Sequence, residues 1–383
     1  MPATILIPLV FAMLQASPLR ACFFSVFLAV LAVAALRPAQ AQATRGVGDL
    51  FTVSGIAVDA SAESAAAARP LALAGGQRRA FTQLLRRLTL PEDHDRLPQP
   101  TEALQNAVIA GFDISEERTS ATRYIARINV QFRPDAVRRL LQDNRLSYSE
   151  TRSRPVLVIP VWQSPAGNRL WEADNPWRNA WAARPAANGL VPLVLAEATT
   201  GAGEDAPGLD RLLGNPAELR AFAGRRGHED VLVLSATLQQ QDPGNVRVEI
   251  FPYHDGAAGF LDRLEVYTSV GGTIEEALIG GAIEIERRIE TRWKRATVFD
   301  LEKQGQLSAA AVFASLPEWT KLRATLAAMP VIRKVDVLRL SHRDAQVLID
   351  YYGDPGQLSV ALAQRDVQLE QQDGFWILRS RQP

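Results

Sequence analysis

Three small modules of mixed α+β and α/β type are predicted from this sequence, and three observations predict them. A continuous apolar run, Val156-Leu157-Val158-Ile159, has the composition of a strand covered on both faces. Upstream of it the hydrophobic periodicity reads strand, helix, two strands, helix. Downstream, beyond a long helix, it reads βαββαβ. The modules fall at 44–150, 151–300 and 301–383, preceded by a leader over 1–43. A chain of 383 residues, 47% of them hydrophobic, is long enough for two or three such cores.

The leader comes first in the chain. Arg20 precedes an uncharged stretch, Ala21 to Leu36, that ends at Arg37-Pro38. Two small-x-small sites follow, Ala39-Gln40-Ala41 and Ala41-Gln42-Ala43, the pattern of a cleaved secretory signal. The run is shorter than the ~20 apolar residues of a membrane-spanning helix, so no transmembrane anchor is expected after cleavage. Met13 is an alternative translation start that gives a leader of ordinary length. The single cysteine, Cys22, lies inside the leader, so the mature chain is expected to be free of thiols and disulfides, which suits an oxidising periplasm.

In the first module, Leu50 to Val58 reads as a strand and Ala60 to Leu90 as helix. Pro70 and Gly75-Gly76 predict a break in that helix. A loop over 91–100 leads to a short helix from Thr101 and then a hairpin. The second hairpin strand alternates Tyr124, Ala126, Ile128, Val130 and Phe132 on its inner face. Pro134 opens a closing helix with Val137, Leu140 and Leu141.

The second module starts from the strand at Val156, ended by Pro160. Asn175-Pro176 then supplies an N-cap and a first-turn proline, placing Trp177 and Trp181 one turn apart. Four of the seven tryptophans fall here: Trp162, Trp171, Trp177 and Trp181. Such rings either fill a core or line a ligand groove, and helical spacing favours core. With Glu172, Asp174 and Arg178 interleaved, the segment is also the candidate binding surface. Strands at 190–195, 231–238, 246–253 and 264–269 follow, with a loop at 199–208 and a helix from Asn215-Pro216. Thr273 begins a long helix with an apolar stripe of Ile274, Leu278, Ala282, Ile285, Ile289 and Trp293. Glu284 with Arg288, and Glu290 with Lys294, read as i,i+4 pairs on its solvated face.

The third module reads strand 307–313, helix 316–329, strands 333–340 and 345–352, helix 355–363 and strand 367–379. Ser315 and Asp354-Pro355 mark the helix starts. That order is the ferredoxin-like arrangement. RNA-binding domains share it, yet Val335, Val337 and Arg339 supply no stacking aromatics. All but four of the 42 basic residues are arginines, scattered and balanced by 42 acids, so no nucleic-acid partner is expected.

The stretch Val53 to Leu88, followed by RPVLVIPVWQ and LWEADNPWRNAW, resembles an exported bacterial family catalogued as domain of unknown function 2066. The resemblance implies export and carries no activity to any residue. More distantly, the first module looks like small periplasmic modules of outer-membrane and flagellar assembly factors, an analogy of fold alone.

The sequence lacks HExxH, a phosphate-binding lysine loop and a G-x-S-x-G elbow. His94, His228, His254 and His342 each have a nearby aspartate but sit in turn-like contexts. No cofactor or metal is expected. The expectation is a soluble periplasmic, non-enzymatic binding or assembly protein that contacts another envelope protein or a wall or membrane component. The alternative is a carbohydrate-binding protein or hydrolase that uses Glu172 and Asp174 beside the tryptophans.

Overall fold

The structure, a computed structural model, describes residues 50–165, 167–185, 188–197, 215–239, 245–254, 257–258, 261–299 and 303–381. The leader with Cys22 and the loop at 199–208 lie outside them. The described chain is mixed α/β, with three sheets.

The first sheet has strand order β1-β3-β2, from β1 (Thr52–Ser61), β2 (Ile109–Thr119) and β3 (Arg123–Phe132), all antiparallel. The inner residues of β3 are buried as its alternation predicts. Helix α1 (Ala65–Leu88) lies on this sheet, capped by the Ser64 side chain. It is one helix, not the broken one the sequence suggested. Pro70 lies in its second turn, and Gly76 is a packing residue: a Cβ there would run into Val58 and come 2.7 Å from Ile128 Cδ1. The glycine read as a breaker is what lets helix and sheet approach closely. A 3-10 turn (Pro91–Arg96), α2 (Glu102–Val108) and α3 (Pro134–Asp143) complete the module.

The second sheet runs β10-β8-β7-β4-β5, with β6 beside β4 and β9 beside β8. Its centre is β4 (Val156–Ser164), parallel to β6 (Leu193–Leu195) and β7 (Asp230–Leu238) and antiparallel to β5 (Gly167–Arg169). Strands β8 (Asn245–His254), β9 (Ala257–Ala258) and β10 (Asp262–Tyr267) extend the far side antiparallel. Strand β4 is covered on both faces, as its composition predicts: Val156, Val158 and Trp162 enter one core, Leu157, Ile159 and Val161 the other. It does not end at Pro160. That proline occupies the gap between the stretches paired to β6 and to β5, so its missing N–H costs no ladder bond. Helices α4 (Pro176–Ala183) and α6 (Ile274–Thr297) cover one face, and α5 (Pro216–Gly224) the other. The apolar stripe of α6 faces the first of these cores, and Thr273 with Glu276 forms a full capping box.

The third sheet has order β12-β13-β11-β15-β14. Its elements are β11 (Gln304–Val312), α7 (Leu316–Ala327), β12 (Ile332–Leu340), β13 (Asp344–Tyr352), α8 (Pro355–Ala363), β14 (Val367–Gln372) and β15 (Phe375–Ser380). The βαββαβ order is present with one addition. The expected last strand, 367–379, is a hairpin turned at Asp373-Gly374, both at positive φ (49° and 84°), the backbone of a tight two-residue turn. Strand β15 therefore enters beside β11, parallel to it, and moves β14 to the edge.

The first and third modules share one continuous apolar core, which runs from Phe51 through Leu141, Tyr148 and Phe299 to Leu378. The joint lies where the ends of α1 and α6 meet the strap 144–155. Thr89, Tyr148 and Phe299 form successive β-bridges. Ser149 N donates to Leu88 O (2.8 Å), Phe299 N to Tyr148 O (2.9 Å), and the buried Ser149 and Thr297 hydroxyls lie 2.7 Å apart.

Candidate functional site

The tryptophan segment is built around Asn175, which is fully buried. Its Oδ1 accepts from the backbone of Trp177 and Arg178 at 3.0 Å, which starts α4. Its Nδ2 donates to the carbonyls of Pro160, Arg169 and Leu170 at 3.2–3.3 Å, which ties the helix start to β4 and to the turn after β5. Trp177 and Trp181 are 0% exposed and meet edge to face at 5.9 Å. Trp177 Nε1 donates to Leu234 O at 3.0 Å.

These placements bear out the core reading that helical spacing favours and correct the alternative of a tryptophan-lined surface. Trp162, Trp177 and Trp181 belong to the core under α4 and α6, because one-turn spacing aims both helical rings at the sheet. Trp171 lies on the opposite face of the sheet, against Phe222 at 5.4 Å. The four rings therefore do not assemble into one cluster. Arg178 is half-buried and donates to Ala196 O. Glu172 accepts from Leu170 N at 2.5 Å, and Asp174 pairs with Arg169 at 3.3 Å. Both carboxylates are exposed and hold the local turn, and of the rings a sugar would stack on Trp162, Trp177 and Trp181 are buried and Trp171 is half-buried.

The second correction concerns α6. Glu290 and Lys294 are not a solvated pair. Glu290 accepts from Leu190 N (3.0 Å) and Val191 N (2.7 Å), and burial raises its carboxyl above the usual range despite those bonds. Lys294 is buried and donates to Arg86 O (2.7 Å) and Thr89 O (3.0 Å), and burial lowers its ammonium. One turn of α6 thus holds the 190–191 segment with one charge and the C-terminus of α1 with the other. Sequence periodicity identified the pair but not the backbone that arrives to meet it. Glu284 and Arg288 do pair as read, at 2.9 Å, joined by Arg287 at 2.7 Å.

Of the histidines, His94 lies beside the joint, its imidazole pushed down by burial and then by the nearby Lys294 and Arg86 charges. His228 Nδ1 lies 3.2 Å from Pro155 O, and His342 is exposed. The His254 side chain lies outside the described residues. Among the described residues no group of three or more His, Cys, Asp or Glu is arranged to hold a metal.

Two arginine-rich grooves open on the surface, and the sequence did not single out either. One, of about 550 Å³, runs along the C-terminal half of α6 and includes Arg287, Arg288, Arg292, Arg295 and Asp262. It is largely neutralised from within: Glu284 holds Arg287 and Arg288, Asp262 also holds Arg288, and Glu92 pairs with Arg295. The other, of about 540 Å³, lies on the outer face of α1 and includes Arg78, Arg79, Thr82, Gln83, Arg86 and Pro100. Among the described residues no carboxylate lines it.

No family model matches the chain, and no curated protein does. Among solved structures, a formyltetrahydrofolate deformylase from Pseudomonas putida aligns at 11% identity over 62% of this chain and 91% of its own, with a TM-score of 0.20. At that score the likeness carries no argument about fold or activity.

Proposed function

We propose that this chain is an exported, non-enzymatic binding or assembly protein of the bacterial cell envelope, one that contacts another envelope protein or a wall or membrane component. The observation that carries the reading is the leader: Arg20, an uncharged stretch over 21–36, and a small-x-small cleavage site at Ala39-Gln40-Ala41. The resemblance to the exported family of unknown function points the same way. Two structural features support a binding platform: the first and second modules are joined by buried polar contacts at one point, and the outer face of α1 presents uncompensated positive charge. Among the described residues no helix is long and apolar enough to cross a membrane.

The test is made in native cells. Cells are fractionated and the protein is recovered from each fraction for intact-mass measurement, then crosslinked in place and its partners identified by mass spectrometry. A periplasmic product beginning at Gln42 or Thr44 that crosslinks to an envelope component is expected. Recovery of the uncleaved chain from the cytosol would overturn the proposal.

A further inference from the structure

The outer face of α1 presents a strip of arginines with no carboxylate among the described residues that line it. Gly75, Arg78, Arg79, Thr82, Gln83 and Arg86 recur at helical spacing, so they form one strip along about 16 Å of helix. The strip is walled on one side by Pro100, whose carbonyl accepts from Gln105 Nε2 at 2.7 Å, which fixes that wall. Arg79 Nη2 donates to Ala57 O at 2.6 Å, which anchors its guanidinium and leaves its other N–H groups free. Arg79 Nη1 and Arg78 Nη2 converge over the bare backbone of Gly75, where a Cβ would lie 3.5 and 3.7 Å from them. Two cationic forks therefore lie beside one point over Gly75, and a third, Arg86, follows about three turns further along the helix.

Like charges are not brought together at no cost when no anion holds them, and here the lining residues supply none. By contrast, the α6 groove carries its own carboxylates. An arginine fork matches a carboxylate or a phosphate, but a tetrahedral phosphate accepts forks from several directions, as the pair over Gly75 requires. Arg86 starts about 16 Å along the helix from that spot over Gly75, a spread that suits a ligand with more than one such group. We infer that the groove on α1 binds an anion bearing two or more phosphate groups, either a soluble oligophosphate or phosphorylated lipid headgroups at a membrane surface. The inference goes beyond the envelope reading and stands on purified protein, so it holds or fails whether or not the leader is cleaved.

The probes are inorganic tripolyphosphate, followed by calorimetry, and flotation with vesicles of phosphatidylglycerol or of phosphatidylcholine. The variant Arg78→Gln/Arg86→Gln removes two charges from the strip. Arg139→Gln/Arg323→Gln removes the same charge from exposed positions elsewhere. Binding of tripolyphosphate or of phosphatidylglycerol vesicles that weakens at least tenfold in the first variant and less than twofold in the second, with unchanged circular dichroism, is expected. Tripolyphosphate alone assigns a soluble ligand, and phosphatidylglycerol vesicles alone assign a lipid surface. Absence of binding to both probes, equal loss in the two variants, or equal affinity for the tricarboxylate citrate would overturn the inference.

Discussion

Lys294 Nζ, inside the joint, donates to the carbonyl of Arg86 in the last turn of α1 at 2.7 Å, and to Thr89 O at 3.0 Å. A cation at a helix C-terminus is favoured by the helix dipole and satisfies carbonyls that the helix leaves open. Lys294→Met would relieve the desolvation of the ammonium but leave two dry carbonyls unpaired. The second effect is larger, with a net cost of about 1–3 kcal/mol. A lowered urea midpoint at unchanged slope is the expected reading.

Asn175 gives a sharper test, because its amide both accepts and donates. Asn175→Asp keeps the acceptor that caps α4 but turns a carboxylate toward the carbonyls of Pro160, Arg169 and Leu170. Asn175→Ala loses the cap, worth about 1 kcal/mol, and leaves the carbonyls without their donor. The aspartate variant is expected to be at least as unstable as the alanine variant in thermal unfolding, the reverse of the order at an exposed cap.

Trp177→Ala removes a fully buried ring and its bond to Leu234 O, and a cost of about 3–5 kcal/mol is expected. Far-UV circular dichroism and the thermal midpoint should fall together. A variant that kept both and lost only binding to a partner would return the ring to the surface.

Glu284 and Glu290 on α6 respond to pH with opposite signs. Glu284, held by Arg287 and then Arg288, has its carboxyl lowered from 4.5 to about 2. Its stabilisation is present above pH 4.5 and is lost as pH falls toward about 2. Glu290 is raised by burial, so its contribution is full below 4.5 and declines as pH rises through its folded value. Measured against wild type, Glu284→Gln should flatten the acid limb of the stability curve. Glu290→Gln should remove a decline that begins above pH 4.5.

Local signals made much of this fold legible. The alternation of β3, the two covered faces of β4, the stripe of α6 and the caps at Asn175, Thr273 and Asp354 stand as their residues indicate. What was not legible depends on distant partners. Gly76 reads as a helix breaker until Val58 and Ile128 are placed beneath it. Glu290 and Lys294 read as a surface pair until residues 190–191 and 86–89 are brought to them. Trp171 and Trp177 are neighbours in sequence, yet a sheet separates them. The Asp373-Gly374 turn has a local signal, since that dipeptide favours two-residue hairpins, but the residues around it read as one continuous strand.

The joint at Thr89, Ser149, Lys294 and Thr297 ties the first module to α6, and the apolar core shared by the first and third modules brings in the third sheet, so the three sheets should unfold as one cooperative body. Hydrogen exchange followed by mass spectrometry across a urea series tests it most directly, with peptides from β1, β4 and β11. The three peptides are expected to lose protection at a common midpoint in wild type. Separate midpoints for the three strands would contradict it.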